Sequence, residues 1–228
     1  MLLDLDNFKN IHNGQDIYVI ASGPSLDFIN PSFFDNKITI GINQVYKKVR
    51  PTYLLRKEAQ LISSITQEIP NIIHFISNGS SGSLKNDNKT ICETLVTQNE
   101  NLKICCFEHN KNIHTLPDIL PEKGIVVSYS TITSAIHLAA YMGAKNILLI
   151  GHDCGSLDNK VNFNGYHTPQ TLSFVWPNEK EYLKWVSRDI EQHTIKLKKL
   201  LKEKYNTEVY SINPFINFGL EGHIYKKV

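Results

Sequence analysis

The stretch YVIASGPSLDFI, residues 18–29, decides the fold expected for this chain. An apolar run enters Ser22-Gly23-Pro24-Ser25, and an apolar pattern resumes after it. Glycine lets a ligand approach the backbone, and backbone N–H groups together with serine hydroxyls can donate hydrogen bonds to phosphate oxygens. Spacing alone leaves two interpretations open: a phosphate-binding turn, or a tight strand-to-helix turn whose backbone Pro24 sets. The turn matches neither GxGxxG nor the Walker A pattern.

Outward from this stretch, further short apolar runs alternate with helical or irregular segments. Several runs are apolar on both faces, as expected for strands that helices cover on each side. This alternation predicts an α/β fold with a doubly wound, mainly parallel sheet. The predicted strands are Asp16–Ala21, Lys37–Ile42, Thr52–Leu55, Asn71–Ile76, Lys103–Phe107, Asn146–Ile150 and Glu208–Ile212.

Two helices are predicted in the second half of the chain. The first, Thr131–Met142, is small and apolar and ends at Gly143, a residue suited to a helix C-terminus. The second begins at Asn178, which can form a capping box with Glu181. Its apolar residues then keep helical spacing to about Lys204, which predicts a long C-terminal helix.

Bulk properties predict one domain, residues 1–228, because a chain of 228 residues buries enough surface to fold alone. A Ser/Gly/Asn-rich stretch, residues 77–90, is interpreted as a flexible loop. The net charge of +2 gives no indication of a nucleic-acid partner. No apolar run approaches the roughly 18 residues of a membrane span, and the N-terminus lacks the features of a signal peptide. These patterns predict a cytoplasmic protein.

The four cysteines show no CxxC spacing, so neither a zinc site nor a redox motif is predicted. Cys105 and Cys106 lie in an apolar run and are interpreted as small core residues in a reducing compartment. HExxH, GxSxG and paired-carboxylate metal motifs do not occur in the sequence, so no metal or other cofactor is predicted to be required.

Small and polar residues follow the predicted strands, at the edge where open α/β sheets bind ligands. Each has an ordinary alternative: the amides often form turns, an arginine often extends to solvent, and an aspartate often caps a turn. The candidates at this edge are Ser22, Gly23, Pro24, Ser25, Asn43, Gln44, Arg56, Gly151, His152 and Asp153, with Thr133 and Ser134 in the first turn of the Thr131–Met142 helix.

Candidate acid–base residues lie later in the chain. Tyr166 and His167 belong to the polar segment NFNGYHTPQ, and a histidine there has a pKa suited to general acid or base catalysis. Asp189 and His193 are one helical turn apart, so the carboxylate could orient the imidazole or form an ordinary surface pair.

The motifs YVIASGPSLDFI, IGINQVY and STITSAIHLAAYMGAKNILLIGHDCG, in that order, resemble two related families. One is named for the archaeal 6-hydroxymethyl-7,8-dihydropterin pyrophosphokinase and includes flagellin-modifying glycosyltransferase domains. The other comprises the bacterial CMP-sialic acid transferases that act on lipo-oligosaccharide. The resemblance extends from residue 16 to about residue 220 and implies a Rossmann-like nucleotide-binding fold.

The sialyltransferase resemblance also implies roles for residues of this chain. It places CMP against Gly23 and Ser25, with Ser22 where that family carries Asn, and the phosphate against Tyr166. It places the donor against Asn43, Gln44, Thr133 and Ser134, and the nucleoside near Gly151–Asp153. The family's catalytic histidine aligns near Arg188 and Asp189, which leaves two interpretations: His167 or His193 replaces it, or the chemistry differs.

The function expected from these observations is a nucleotide-dependent transferase, most simply a sialyltransferase-like glycosyltransferase that uses a CMP-sugar for surface glycan synthesis. His167, or else His193 or Asp189, would take the proton of the acceptor hydroxyl, while Tyr166 and Arg56 would stabilise the departing phosphate. Its partners would be the activated donor, a glycan or small-molecule acceptor, and a second copy of the chain in a homo-oligomer. The alternatives are a Mg-ATP-dependent pyrophosphokinase and a nucleotide-binding module without catalysis.

Overall fold

The computed structural model describes residues 1–56, 68–77, 91–110, 124–126, 130–155, 157, 160–166, 181 and 189–212. Its strands are β1 (Leu2–Leu3), β2 (Asp16–Ile20), β3 (Ile38–Ile42), β4 (Tyr53–Arg56), β5 (Ile73–Ser77), β6 (Lys103–Phe107), β7 (His109–Asn110), β8 (Ile125–Val126), β9 (Asn146–Ile150) and β10 (Glu208–Ser211). Its α-helices are α1 (Ile91–Gln98), α2 (Thr131–Tyr141) and α3 (Glu191–Tyr205). Short 3₁₀ turns cover Leu5–Phe8, Pro24–Phe28, Pro31–Phe34 and Val45–Lys47.

Within these ranges, eight strands form one parallel sheet in the order β1-β6-β5-β4-β3-β2-β9-β10. Strands β7 and β8 pair separately. All seven predicted strands belong to the large sheet, and their ends differ from the prediction by no more than two residues. The doubly wound α/β prediction is therefore confirmed. The two-residue strands β1, β7 and β8 were not predicted, because two residues carry no alternating pattern.

The strand order reverses direction once in the middle of the sheet. From β2 the chain proceeds outward through β3, β4, β5 and β6, and it then returns to place β9 on the other side of β2. Open α/β sheets bind their ligands at such a switch point, beyond the carboxyl ends of the strands. The fold therefore directs attention to the ends of β2 and β9.

Alternate residues of the central strands enter two different hydrophobic clusters. Ile17 and Val19 of β2 are fully buried in the cluster that includes α2 and α3. Ile20 of the same strand packs with Leu26 and Phe34 from the 3₁₀ turns on the opposite face. The sheet is thus covered on both sides, as its doubly apolar strands predicted.

The two predicted helices are present, with differences at their ends. Helix α2 begins after Ser130, whose hydroxyl accepts a hydrogen bond from the backbone N–H of Ile132. Helix α3 ends at Tyr205, and the next residue, Asn206, adopts the left-handed conformation typical of a helix C-terminus. The predicted start at Asn178 lies outside the described residues, although Glu181 is helical. None of the described helices combines the length and the apolar character needed to cross a membrane.

In the region of β5, β6 and α1, one sequence interpretation is wrong and one predicted boundary is corrected. Cys106 is not a free core thiol, because it forms a disulfide with Cys92. The unpredicted helix α1 carries Cys92 over β6, and local patterns around Cys106 give no sign of this packing. Cys105 is fully buried and free, as predicted. Ser77 ends strand β5 and is fully buried, so the predicted loop does not include it, and residues 78–90 lie outside the described residues.

Candidate functional site

The exits of β2 and β9 pack against each other at the switch point. The backbone N–H of Ala21 donates to Ile150 O at 2.7 Å, and that of Gly23 donates to Gly151 O at 2.8 Å. A Cβ atom on Gly23 would approach the Gly151 carbonyl oxygen and the carboxylate of Asp153 too closely to fit. Gly151 has φ +67°, in the left-handed region that favours glycine. Both glycines are therefore required for the close approach of the two exits.

Asp153 binds the turn that follows β2. Its Oδ2 accepts from the backbone N–H of Ser25 at 2.7 Å, and its Oδ1 accepts from the Ser25 hydroxyl at 2.6 Å. Burial raises the pKa of Asp153 to about 6, and the two hydrogen bonds from Ser25 act in the opposite direction. The structure thus brings Gly23, Ser25, Gly151 and Asp153 together. The Ser25 donors that the sequence assigned to a phosphate contact an internal carboxylate.

A loop that contains Tyr166 lies against the same turn. The Ser22 hydroxyl donates to Oδ1 of Asn162 at 2.9 Å, and the backbone N–H of Phe163 donates to Ser22 O at 2.9 Å. Tyr166 is half-buried, and its ring packs edge-on against Phe163 with 5.5 Å between centroids. Ser22 therefore holds the loop rather than presenting its hydroxyl to solvent. His167 lies outside the described residues.

Asn43, Gln44 and Arg56 lie at the neighbouring strand ends. Asn43 adopts φ +52° after β3, and its N–H donates to Leu55 O at 3.2 Å. Gln44 is buried and precedes the 3₁₀ turn Val45–Lys47. Arg56 ends β4 and is only 5% exposed, so it does not extend to solvent. Arg56 therefore places a buried positive charge at the carboxyl end of β4.

The charge of Arg56 affects the pKa of the Tyr46 phenol. Burial and a hydrogen bond with Glu68 raise the pKa of Tyr46 to about 12, and Arg56 acts in the opposite direction. Tyr46, Glu68 and Arg56 therefore form a polar group on one side of the β4 end. This group was not predicted, because Tyr46 and Glu68 follow different strands.

Thr133 and Ser134 lie at the N-terminus of α2, as predicted, and both are fully buried. The Thr133 hydroxyl donates to Ser130 O at 2.7 Å, and the Ser134 hydroxyl donates to Val126 O at 2.8 Å. One turn later, Nδ1 of His137 accepts from the backbone N–H of Val126 at 2.9 Å. Both hydroxyl protons are thus engaged within the fold, and Ser134 with His137 attaches β8 to the helix.

His152 points away from the turn, toward helix α3. Its Nε2 lies 3.0 Å from Oγ1 of Thr194, which itself donates to Ile190 O at 2.9 Å. Because the Thr194 proton is used by Ile190, the Nε2–H of His152 must be the donor to Thr194. Burial lowers the pKa of His152 to about 4, so the ring is neutral at pH 7. His152 connects the end of β9 to α3 and is poorly placed for proton transfer at the turn.

Asp189 lies two residues before α3, and His193 lies in the first turn of that helix. The helix starts on the carboxyl side of the sheet because it leads into the parallel strand β10. His193 is half-buried. Burial and nearby Lys196 lower the pKa of His193, while Asp189 raises it. The carboxylate and the imidazole therefore interact, and the lowered pKa favours the neutral ring that a general base requires.

Asp27 and Asn162 were missed by the sequence reasoning. Oδ1 of Asp27 lies 2.6 Å from Nζ of Lys48, and its Oδ2 accepts from the backbone N–H of Asn164 at 2.8 Å. The chain separation of 137 residues between Asp27 and Asn164 explains why no local pattern indicates the contact. In the described part of the chain, no group of three or more His, Cys, Asp or Glu side chains is arranged to hold a metal ion.

Comparison with known proteins shows that several solved structures have a similar fold. No family model matches the chain, and no curated protein matches its sequence. The α-2,3-sialyltransferase Cst-I from Campylobacter jejuni superposes with a TM-score of 0.53 at 16% identity, over 94% of this chain and 83% of that one. CstII from Campylobacter jejuni, solved with CMP-3FNeuAc, gives 0.52 at 15% identity, over 92% and 87%.

The MAf glycosyltransferase from Magnetospirillum magneticum AMB-1 gives a TM-score of 0.52 at 12% identity. The match covers 96% of this chain and 37% of that one, so this chain corresponds to about a third of the larger protein. At these identities the likeness establishes a common α/β fold.

Proposed function

We propose that this chain is a glycosyltransferase that takes a CMP-linked sugar, of the sialic acid type, as its donor. The observation that carries the proposal is the switch point, where the Gly23–Ser25 turn meets Asp153. The shared fold with Cst-I and CstII supports it. CstII has also been solved with CMP together with a trisaccharide acceptor.

The charges at the strand ends support one orientation of the nucleotide. At pH 7 most Asp153 is ionised, because its pKa is about 6. A buried carboxylate repels a phosphate, while the buried cation of Arg56 attracts one. We therefore place the nucleoside beside Gly23 and Asp153, and we propose that Tyr166 and Arg56 bind the phosphate.

The proposed reaction is a direct displacement at the anomeric carbon of the donor sugar. The acceptor oxygen forms the new bond to that carbon, the bond from carbon to the phosphate oxygen breaks, and CMP leaves. The acceptor proton passes to a base, which we propose is His167, with His193 or Asp189 as the other candidates. A hydrogen bond from Tyr166 and the charge of Arg56 would stabilise the leaving phosphate, and one such group typically contributes about 3 kcal/mol.

We propose that the reaction needs no metal ion, since Arg56 supplies positive charge at the strand ends. A pyrophosphokinase that uses Mg-ATP would depend on magnesium to neutralise its triphosphate. The two functions therefore differ in a simple binding measurement.

The test is a thermal-shift screen with CMP, CDP, UDP, GDP and ATP, each with and without magnesium, followed by transfer from a CMP-sialic acid donor. The proposal predicts stabilisation by CMP without metal, and product formation. H167A should abolish transfer and leave the CMP shift nearly intact. A shift with Mg-ATP alone would refute the proposal, and a CMP shift without any transfer would favour a non-catalytic nucleotide-binding module.

A further inference from the structure

Asp27 joins three segments that carry candidate site residues. It lies on the 3₁₀ turn Pro24–Phe28, directly after the Gly23–Ser25 turn. Its Oδ1 pairs with Lys48, which follows the segment of Asn43 and Gln44. Its Oδ2 accepts from the backbone N–H of Asn164, in the loop that leads to Tyr166. One carboxylate on the first segment thus contacts the other two.

The Asp27 contacts are short and partly shielded from water. The Asp27 side chain is 12% exposed and that of Lys48 is 30% exposed. Hydrogen bonds to an ionised carboxylate are stronger than those between neutral groups. Partial burial also reduces the screening of the ion pair by salt. The contacts therefore constrain the loop more than an exposed surface pair would.

The loop from 160 to 166 depends on such contacts, because it has no helix or strand in the described structure. Its attachments to the first turn are the two bonds with Ser22 and the bond from Asn164 to Asp27. Gly165, at φ +90°, then reverses the chain just before Tyr166. Of these three hydrogen bonds, the one to Asp27 is the closest in the chain to Tyr166.

We propose that Asp27 is a positioning residue: by holding Asn164, its carboxylate fixes Tyr166 at the candidate site, and Lys48 couples this attachment to the Asn43–Gln44 segment. The catalytic consequence rests on the proposed function, in which Tyr166 stabilises the leaving phosphate. The structural part, that Asp27 fixes the loop, does not depend on that function.

Amide hydrogen exchange tests the structural part directly. In D27A, exchange at the Asn164 and Tyr166 amides should accelerate by about tenfold or more. The loop can then open without breaking a hydrogen bond to the carboxylate, so opening costs less free energy. D27N should show a smaller effect, since its amide oxygen can still accept from Asn164. The His12 amide, bonded to Met142 O at the other end of the sheet, is the internal control and should not change.

Unchanged exchange at Asn164 and Tyr166 in D27A, with His12 also unchanged, would overturn the proposal. If D27A does not fold, D27N and K48A give the same comparison with smaller perturbations. Acceleration at His12 equal to that at Asn164 would indicate general destabilisation, and it would also count against a positioning role.

A double-mutant cycle with Y166F tests the catalytic part. D27A should lower kcat about tenfold with KM changed less than about twofold, since the interaction lost acts in the transition state. Added to Y166F, D27A should lower kcat little further, because its effect passes through the same phenol. Fully additive losses would refute positioning through Tyr166. Absence of CMP binding by the wild type would instead refute the proposed function, and the exchange measurement would still decide whether Asp27 holds the loop.

Discussion

Main-chain hydrogen bonds join segments at both ends of the parallel sheet, and the carboxyl end adds a buried carboxylate. At the amino end, the backbone N–H groups of Asn10, His12 and Gly14 donate to the carbonyl groups of residues 141–143. At the carboxyl end, the carboxylate of Asp153 takes both donors of Ser25. Main-chain bonds depend little on side-chain identity, whereas the carboxyl end depends on particular residues and on a buried charge. A buried charge reduces stability, so its presence at the end where ligands bind agrees with a functional role.

Among the variants considered, alanine substitutions at Gly23 and at Gly14 should show the largest difference in stability loss between the two ends of the sheet. G23A places a Cβ against the Gly151 carbonyl and the Asp153 carboxylate, so we expect a loss of more than about 3 kcal/mol in the free energy of unfolding. Gly14 has open space around it but φ +77°, so G14A should lose only about 1 kcal/mol. Urea denaturation measures both losses. Equal losses would show that the close packing around Gly23 does not make the carboxyl end less tolerant of substitution than the amino end.

The pH dependence of stability should identify the buried charge. The pKa of Asp153 rises from 3.8 to about 6 in the folded protein. Its contribution to stability is therefore fully present below pH 3.8 and is lost as the pH rises through about 6. Because D153N cannot titrate, its free energy of unfolding relative to wild type should increase by about 2 kcal/mol between pH 4 and pH 7.

S25A is the matched control for D153N, since it keeps the carboxylate and removes the hydroxyl bond that lowers the pKa of Asp153. Its pH dependence should be at least as steep as that of wild type. A D153N difference that stays constant from pH 4 to pH 7 would contradict the assignment.

Two threonine-to-valine variants compare the stability of the two ends with smaller expected losses than that of G23A. T194V removes the acceptor of the buried His152 N–H and should cost about 2 kcal/mol. T207V, at the amino end, removes a single bond from the Thr207 hydroxyl to Ala144 O and should cost about 1 kcal/mol. Thermal denaturation measures both. If T207V cost as much as T194V, the carboxyl end would not depend more on its side chains than the amino end does.

The sequence predicted the strands well because their evidence is local. Asn146–Ile150 and Lys103–Phe107 were found with the predicted bounds, since a short apolar run between polar residues defines a buried strand. It also predicted that Gly23, Ser25, Gly151 and Asp153 follow strand ends. It could not predict that the Asp153 carboxylate accepts the hydrogen bonds donated by Ser25, because 128 residues separate Asp153 from Ser25.

Side-chain direction was the second limit of the sequence reasoning. His152 and Asp153 are neighbours in the chain, yet one points to Thr194 on α3 and the other to Ser25. Arg56, for which the sequence left open both a phosphate contact and extension to solvent, is buried. In each case the partner comes from another element, so only packing decides the direction.

The chain's own residues thus determined an α/β sheet of doubly buried parallel strands and the small residues at their exits, because apolar periodicity and glycine conformation act over a few neighbouring positions. The tertiary structure alone decided the strand order, which places β9 beside β2 and so joins Asp153 to Ser25 and Asn164 to Asp27. These contacts arise from packing between distant segments, whose energies no local pattern records.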